Sequence, residues 1–387
     1  MAHTILLTNG TVVTPEGILE KGEVFIEDGM IQEVGTSIKR QADQQIDTQG
    51  GYVLPGFIDM HIHGASGADV MDATEEALQT MADVLPKEGT TSFLATSMTQ
   101  APEAIEAALK NAAAFTTKPG QAQMLGVHLE GPFVSPKRAG AQPIEYICPP
   151  DAEQFDAWQK AAEGKIRMVT LAPEEENGMS FIRKLAAEGI VASMGHTNAT
   201  IAQMEEAAEA GAVQATHLYN QMSPFHHREP GAIGGALLVD ELCAEVIADF
   251  IHSHPKAVEL AYRVKGADRL ILITDAMRAK GLEPGEYDLG GQPVHVTETD
   301  ARLSDGTLAG SILTMEHAVK NVVRTLGISP LDVAKVSSGN AARQLGLAKK
   351  GSLIAGNDAD IVILDKEWTV MQTICGGVIG YEHNGKS

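Results

Sequence analysis

The chain has 387 residues and a formal net charge of −22, and aromatic residues make up only 4% of it. Nucleic acid and anionic membrane surfaces both need a basic protein face, so the strong negative charge argues against both kinds of partner. A chain of this length exceeds one small domain and suits a barrel with a smaller second domain.

Both ends of the chain have the pattern of short strands joined by turns. Residues 1–55 contain ILLTNGTVVTPEG, in which an Asn-Gly pair predicts a hairpin turn between two β-rich runs, and a second turn is predicted at Asp28. Residues 346–387 return to this pattern in GSLIAGNDADIVILDKEWTV. Because chain ends often lie close together, we predict one small β-sandwich domain built from residues 1–55 and 346–387.

Between these ends, apolar runs alternate with amphipathic stretches that end in glycine, which is typical of strands alternating with helices. Eight alternations predict an α/β fold over residues 56–345, a (β/α)8 TIM-like barrel of the metal-dependent hydrolase type. An open doubly wound sheet is the alternative, but it would not bring the first and eighth strands together. The predicted strands are 57–63, 91–96, 124–131, 166–173, 191–197, 213–220, 244–250 and 270–276.

Histidine, glutamate or aspartate ends five of these eight strands. A parallel barrel brings the carboxyl ends of all its strands to one mouth, where such barrels do their chemistry. Imidazole suits zinc or iron, and a carboxylate can bridge two such ions. Any one of these histidines alone could equally be a hydrogen-bonded core residue. Together they predict a metal centre formed by His61, His63, Glu130, His196, His217 and Asp275.

The spacing assigns a role to each predicted ligand. His61 and His63 are two residues apart, so on a strand both point to the same side and can contact one ion. Glu130 is the predicted bridge to a second ion held by His196 and His217. Some binuclear barrels bridge their ions with a carboxylated lysine after the fourth strand, but that strand reads IRMVTLAP and has no lysine near its end.

Asp275 ends the last strand and is the predicted general base and acid. Metal binding lowers the pKa of water to roughly 7, which makes hydroxide available near neutrality. Hydrolysis still needs a group that takes the proton of the water and passes it to the leaving group. The alternatives for Asp275 are a plain metal ligand or a helix N-cap.

Further candidate groups lie on predicted loops. The segment HLYNQMSPFHHREPGAIG carries Asn220 and Arg228, and His252 follows the seventh strand. Arginine and histidine beside backbone N–H groups could hold a phosphate by charge-assisted hydrogen bonds. Arg228 could instead pair with Glu229 or another surface carboxylate. The loop SDGTLAGSIL, residues 304–313, could close over a small acyl group or be an ordinary turn.

The cysteines and the amino terminus bear on the cellular compartment. Cys148, Cys243 and Cys375 are far apart and form no Cys-x-x-Cys pair, so neither a disulfide framework nor a thiolate zinc site is indicated. MAHTILLTNG lacks a basic region followed by a long apolar one, and no segment approaches about 18 uninterrupted apolar residues. We therefore expect a soluble cytoplasmic protein.

Several motifs resemble the N-acetylglucosamine-6-phosphate deacetylase family of the amidohydrolase superfamily. They are PGFIDMHIHG, HLEGPF, SMGHT, THLYNQMSPFHHREPG, ITDAM and GTLAGS, spread over nearly the whole chain. HLEGPF and HLYNQM are fairly specific, whereas His-x-His is shared by the whole superfamily. The resemblance implies hydrolysis of a linear amide C–N bond by metal-held hydroxide, with Asp275 as general base and acid. The substrate would be N-acetyl-D-glucosamine 6-phosphate, and the products D-glucosamine 6-phosphate and acetate.

The resemblance also implies the number of ions. Glu130, His196 and His217 match the ligands of the metal that all members keep, and His61 and His63 match those of a second metal that some members lack. Because this chain has both sets, we expect two divalent ions per subunit, zinc or iron, with manganese or cobalt also compatible.

Substrate contacts are implied on the loops. The counterpart of Arg228 can reach across a dimer interface, so the resemblance implies a homodimer with shared sites. Gln142 stands where some members have a histidine that contacts the substrate, and glutamine can donate and accept hydrogen bonds but carries no charge. The predicted substrate-binding residues are Gln142, Asn220, Gln221, Arg228, His252, Leu308 and Ala309.

Two other functions stay open at the sequence level. One is a different activity of the same superfamily, such as a cyclic amidase, an aminoacylase or a deaminase. The pair of Arg228 and His252 argues against it, because a neutral substrate needs no phosphate contact. The other is a metal-stabilised scaffold without catalysis, and Asp275 argues against that, since a scaffold has no need of a base beside the metals.

Overall fold

The computed structural model describes residues 3–383, and five strands lie at the amino-terminal end of this range. Asp28 and Gly29 form the predicted turn between the second and third strands. The hairpin predicted at Asn9 and Gly10 is wrong, because both lie inside the first strand, where the pairing register shifts and the strand passes from one neighbour to the next. The strands are β1 (Thr4–Thr14), β2 (Gly17–Glu27), β3 (Met30–Gly35), β4 (Gln44–Asp47) and β5 (Tyr52–Pro55).

Eight parallel strands form the predicted barrel, neighbouring one another in chain order. The backbone N–H of Asp275 donates to the carbonyl of His61 over 2.8 Å and joins the eighth strand to the first. The ligands at the first and last strands therefore reach one mouth. The barrel strands are β6 (Phe57–Ile62) and, after a short hairpin of β7 (Gly64–Ala65) and β8 (Ala68–Asp69), β9 (Thr90–Thr96), β10 (Gln123–Glu130), β11 (Ile166–Leu171), β12 (Val191–Met194), β13 (Gln214–Ala215), β14 (Cys243–Ile247) and β15 (Leu270–Ile273).

Helices alternate with these strands and pack on the outside of the barrel. The last long helix shows why: Met315, Ala318, Val319 and Val322 are buried at the spacing of one helix face. Its start is capped by the Thr314 side chain, which accepts from a backbone N–H. The helices are α1 (Glu75–Val84), α2 (Pro102–Ala114), α3 (Ala152–Ala161), α4 (Gly178–Ala187), α5 (Ile201–Glu209), α6 (Gly231–Leu238), α7 (Pro255–Lys265), α8 (Met315–Leu326), α9 (Pro330–Ala334) and α10 (Asn340–Gln344).

A small antiparallel sheet lies between the eighth barrel strand and α8, and the sequence did not predict it. Its apolar side chains pack against Met98 and Met277, which follow β9 and β15. The sheet therefore covers one side of the barrel mouth. Its strands are β16 (Gly285–Leu289), β17 (Gln292–Val296) and β18 (Ala301–Arg302).

Strands from both ends of the chain join in one eight-stranded sheet, as predicted. Its order is β21-β20-β19-β5-β1-β2-β3, with β4 paired to β1. The sheet curls back on itself, because Ile31 of β3 donates its N–H to the carbonyl of Asn357, 2.8 Å away, just before the carboxy-terminal strands. Those strands are β19 (Ile361–Leu364), β20 (Val370–Cys375) and β21 (Val378–Glu382).

The α/β barrel with a small β domain is thus confirmed. A division of the chain after residues 55 and 345 stays a prediction, and its outer limits include residues 1–2 and 384–387, which lie outside the described range. Within the described part of the chain, the helices are too short or too polar for any of them to span a membrane.

Candidate metal centre and active site

The predicted ligands lie at or just beyond the carboxyl ends of barrel strands. Glu130 is the last residue of β10, while His196, His217 and Asp275 each lie two residues beyond a strand end. These last three have left-handed φ values of 46°, 30° and 49°. Such values are uncommon for residues other than glycine and cluster at functional sites. At each of these three positions the left-handed φ turns the backbone away from the strand direction. Each strand therefore ends at the cavity that these residues line.

His61, His63 and Asp275 form the first cluster of ligand atoms. Asp275 Oδ1 lies 3.4 Å from His61 Nε2 and 3.2 Å from His63 Nε2. The next residue, Gly64, is tightly enclosed, because a Cβ there would lie 2.8 Å from the backbone nitrogen of Arg278. The glycine of the His-x-His-Gly motif therefore lets the chain pass close behind the cluster.

Glu130, His196 and His217 form the second cluster. Glu130 Oε1 lies 3.2 Å from His217 Nε2 and 3.5 Å from His196 Nε2, and the two imidazole nitrogens are 3.1 Å apart. In each cluster, one ligand atom per residue lies within 4.8 Å of the others. Three ligand atoms converging in this way match the arrangement that a single cation requires.

Glu130 also reaches the first cluster. Its Oε1 lies 3.3 Å from His61 Nε2, and its Oε2 lies 3.2 Å from His63 Nε2. One carboxylate therefore faces the histidines of both clusters. This is the geometry expected of a group that bridges two ions.

The donor set fits divalent metal ions. Both clusters combine imidazole nitrogen with carboxylate oxygen, which suits zinc and iron and is also compatible with manganese and cobalt. The buried Nε2 of His61 has no hydrogen-bond partner among residues 3–383, although two carboxylates lie nearby. A buried imidazole nitrogen that faces two carboxylates without a hydrogen bond to either is well placed to bind a cation together with them.

The charges of the site also favour a cation. Burial alone would lower the pKa of His63, but the carboxylates of Asp275 and Glu130 outweigh it and raise that pKa to about 10. Burial likewise opposes ionisation of Glu130, yet His61, helped by hydrogen bonds from the second cluster, holds the pKa of that carboxyl well below its usual range. The carboxylates of Asp275 and Glu130 are therefore stabilised by nearby positive charge, which protons or divalent ions can supply.

Gln142 is bound to the cluster rather than free. Its Nε2 donates to Glu130 Oε2 over 2.9 Å, and its Oε1 accepts from the backbone N–H of Thr99 over 2.9 Å. The side chain is buried and lines the cavity. Both ends of the amide therefore help to orient the bridging carboxylate. His128, which shares its strand with Glu130, lies deeper and contacts Thr170, in keeping with a core role.

A cavity of about 320 Å³ opens above the two clusters. It is bounded by residues that follow several barrel strands and by the loop after β18, so the mouth is closed on one side by the small antiparallel sheet. Five predicted substrate-binding residues line it: Gln142, Asn220, Gln221, His252 and Leu308.

Two predicted contacts, Arg228 and Ala309, do not line this cavity. Arg228 is exposed, and its guanidinium contacts His227 Nε2 at 2.9 Å rather than Glu229. Ala309 is fully buried in the apolar cluster beneath the small sheet. The predicted contact of Arg228 with a substrate is therefore not part of this cavity within one chain.

Among the residues that sequence reasoning missed at the site are Arg302 and Glu245. Arg302, at the end of β18, lines the cavity, but nothing in the sequence marked its strand. Glu245 is fully buried in β14 and contacts both His61 and His217. Its signal was present in CAEVI, because an acidic residue inside an apolar strand must find partners in the barrel interior.

Comparison with known proteins agrees with this geometry. Residues 52–380 match the model of the Amidohydrolase family. An N-acetylglucosamine-6-phosphate deacetylase of Lysinibacillus sphaericus is 52% identical over 98% of this chain and 99% of its own. Its counterpart from Bacillus subtilis (strain 168) is 51% identical over 98% of both chains.

A solved structure has the same fold throughout. It is that of a Mycobacterium smegmatis N-acetyl-D-glucosamine-6-phosphate deacetylase mutant in complex with N-acetyl-D-glucosamine-6-phosphate, and it superposes with a TM-score of 0.91 at 32% identity. The match covers 98% of this chain and 99% of that one. The resemblance carried by the sequence motifs is confirmed. The chain therefore belongs to the amidohydrolase family, in the group of the N-acetylglucosamine-6-phosphate deacetylases.

Proposed function

We propose that this enzyme hydrolyses the N-acetyl amide of N-acetyl-D-glucosamine 6-phosphate to D-glucosamine 6-phosphate and acetate. The observation that carries the substrate is the identity to named deacetylases along nearly the whole of both chains. The geometry supports metal-dependent hydrolysis, because two clusters of metal-ligand residues meet at Glu130 beside a cavity lined by polar side chains.

Asp275 is the proposed general base and acid. When bound, a divalent ion lowers the pKa of a water in contact with it to roughly 7, so hydroxide becomes available near neutrality. Burial would raise the pKa of the Asp275 carboxyl, but His61 and His63 lower it. An ionised Asp275 at the cavity wall can accept the proton of the attacking water and pass it to the amine nitrogen as the C–N bond breaks.

Loop residues around the cavity are the proposed substrate contacts. Asn220, Gln221 and His252 lie together on its wall, and His252 is held by Asp249, whose Oδ2 lies 2.6 Å from Nδ1. This leaves Nε2 of His252 for a ligand. Leu308 provides an apolar surface for the acetyl group.

The cofactor proposal is two divalent ions per subunit, zinc or iron. Its support is that each cluster supplies three ligand residues of suitable chemistry. His61, His63 and Asp275 would hold one ion, and His196 and His217 the other. Glu130 would contact both.

A cytoplasmic homodimer is also proposed. Its support is that Arg228 is exposed and lies outside the cavity of its own chain, so its guanidinium is available to a substrate bound by a second copy. In a dimer it would add positive charge for the phosphate. Three free cysteines are consistent with a reducing compartment.

The experiment is acetate release by metal-replete enzyme from a panel of sugars. We expect rapid release from N-acetylglucosamine 6-phosphate, with one amine formed per acetate, and much slower release from unphosphorylated N-acetylglucosamine. The 6-phosphate of N-acetylgalactosamine tests whether the cavity distinguishes the sugar epimers. Lack of activity on every phosphorylated sugar, with metal bound, would overturn the proposed substrate and favour another amide.

A further inference from the structure

We propose that Glu245 is a positioning residue for the metal centre, fixing the ring of His61 with Nε2 towards the ligand clusters and holding the backbone of His217. This inference rests on the proposed metal-dependent function. Glu245 is not one of the predicted metal ligands, and it does not line the cavity.

Glu245 is a fully buried carboxyl in the middle of β14. A carboxyl placed there is costly unless hydrogen bonds compensate for the loss of water. Its Oε1 accepts from Gln214 Nε2 over 2.6 Å, and its Oε2 accepts from the backbone N–H of His217 over 3.1 Å. Since an amide nitrogen and a backbone N–H can only donate, both carboxyl oxygens serve as acceptors.

The same Oε2 lies 3.1 Å from Nδ1 of His61. A hydrogen bond to this acceptor places the proton of the neutral imidazole on Nδ1 and leaves the lone pair on Nε2. That Nε2 faces Glu130 and Asp275 at 3.3 Å and 3.4 Å. Glu245 thus selects the tautomer of His61 that can bind a cation.

The contact with His217 reaches the second cluster. His217 has a left-handed φ of 30°, which is unfavourable for a residue with a side chain. Glu245 binds its backbone N–H, and the carbonyl of Glu245 accepts from the next N–H, that of Leu218, over 2.9 Å. One buried residue therefore contacts His61 of the first cluster and His217 of the second.

The alternative is that Glu245 only satisfies buried donors and has no effect on the ligands. Both roles predict the same hydrogen bonds, so stability alone does not separate them. Metal affinity does, because misplaced outer partners of metal-bound histidines typically weaken metal binding by about 10- to 100-fold.

The test is a zinc titration of metal-free protein carrying Glu245→Gln or Glu245→Asp. Glu245→Gln places an amide donor next to groups that themselves donate, those of Gln214, His217 and His61. Glu245→Asp keeps the carboxylate but shortens the side chain by one methylene. The control is Glu241→Gln, the same change at an exposed position just before the same strand. We expect both Glu245 variants to keep the fold by circular dichroism and to bind zinc about 10- to 100-fold more weakly than the wild type and the control.

A double-mutant cycle identifies the route of the effect. In a His61→Ala background, Glu245→Gln should weaken zinc binding much less than it does in the wild type, because the ring that it positions is gone. Equal effects in both backgrounds would overturn the role through His61.

Unchanged zinc affinity in both folded variants would overturn the proposal, and so would loss of the fold in both, since a positioning role is separable from folding. Wild-type protein that binds no divalent ion would overturn the proposed function as well. Normal wild-type binding with unaffected variants would overturn only the role of Glu245.

Discussion

The two parts of the candidate site differ in how the chain builds them. The floor consists of strand-end side chains that are almost fully buried, with His61 at 0% exposure and Asp275 at 8%. The rim consists of side chains on loops and at the end of β18, where Arg302 keeps 42% of its side chain exposed. We define the floor as His61, His63, Glu130, His196, His217 and Asp275, and the rim as Asn220, Gln221, His252, Arg302 and Leu308.

This difference suggests that the floor and the rim have separate roles in catalysis and in substrate recognition. Floor residues are fixed by barrel strands and by buried partners, so they suit chemistry that needs accurate geometry. Rim residues lie on loops or on the small sheet, outside the barrel strands, where the chain can vary without disturbing the barrel. We therefore expect changes in the floor to affect turnover and metal binding, and changes in the rim to affect the choice of substrate.

The largest effect is expected from Asp275→Asn in the floor. The amide cannot accept the proton of the attacking water, so kcat should fall by about 1,000-fold or more. Zinc at the cluster of Glu130, His196 and His217 and substrate binding should be kept, because those ligands are unchanged and the shape of the side chain is conserved. Asp156→Asn, an exposed position paired with Lys184, is the control. Near-normal turnover of Asp275→Asn, measured as acetate release, would contradict its proposed role.

The next largest effect is expected from Glu130→Gln. This change removes the negative charge of the carboxylate that faces both clusters, so zinc affinity should fall by more than about 100-fold, beyond the loss typical of an outer partner. Titration of metal-free protein measures the effect, with Glu205→Gln on the exposed side of α5 as the control. A variant that binds zinc like the wild type would mean that Glu130 is not a shared ligand.

A smaller and different effect is expected at the rim. Arg302→Gln removes a positive charge from the cavity wall, and loss of one charge-assisted hydrogen bond would raise KM for the phosphorylated sugar by about 10-fold. We expect kcat to be kept and activity on the unphosphorylated sugar to be unaffected. Arg324→Gln, exposed on α8, is the matched control. An equal loss on both sugars would place Arg302 outside phosphate recognition.

The smallest effect concerns the stability of the metal-free floor. The pKa of His63 is raised to about 10, above its ordinary value of 6.5. Its proton therefore stabilises the fold fully below about pH 6.5, and this stabilisation is lost as the pH rises towards 10. We expect the melting temperature of chelator-treated protein to fall between pH 7 and 9.5 more steeply than that of His63→Asn. Parallel curves for the two proteins would contradict the raised pKa.

The floor was predictable because strand ends in a parallel barrel converge whatever the loops do. The positions of His196 and His217 follow from the apolar runs before them, and eight such runs specify the barrel. The hairpin predicted at Asn9 was wrong, because the prediction rested on local turn preference alone. Local turn preference is weaker than the pairing of a long strand with two successive neighbours, and that pairing is not visible in the local sequence.

The rim was predicted less completely, because loop residues have no fixed direction before the chain is folded. Leu308 lines the cavity whereas its neighbour Ala309 is buried beneath the small sheet, and nothing in GTLAGS distinguishes them. Arg302 was missed because nothing in the sequence marked its strand. Glu245 differs from both, since an acidic residue inside an apolar strand was a readable signal.

Restoring metal to metal-free enzyme is the most direct test of the metal-dependent chemistry assigned to the floor. The protein is freed of metal with a chelator, and acetate release from N-acetylglucosamine 6-phosphate is measured before and after zinc or iron is added back. We predict negligible release without metal and recovery as the ions bind. Full activity of protein shown to contain no metal would contradict the assignment of the floor as a metal centre.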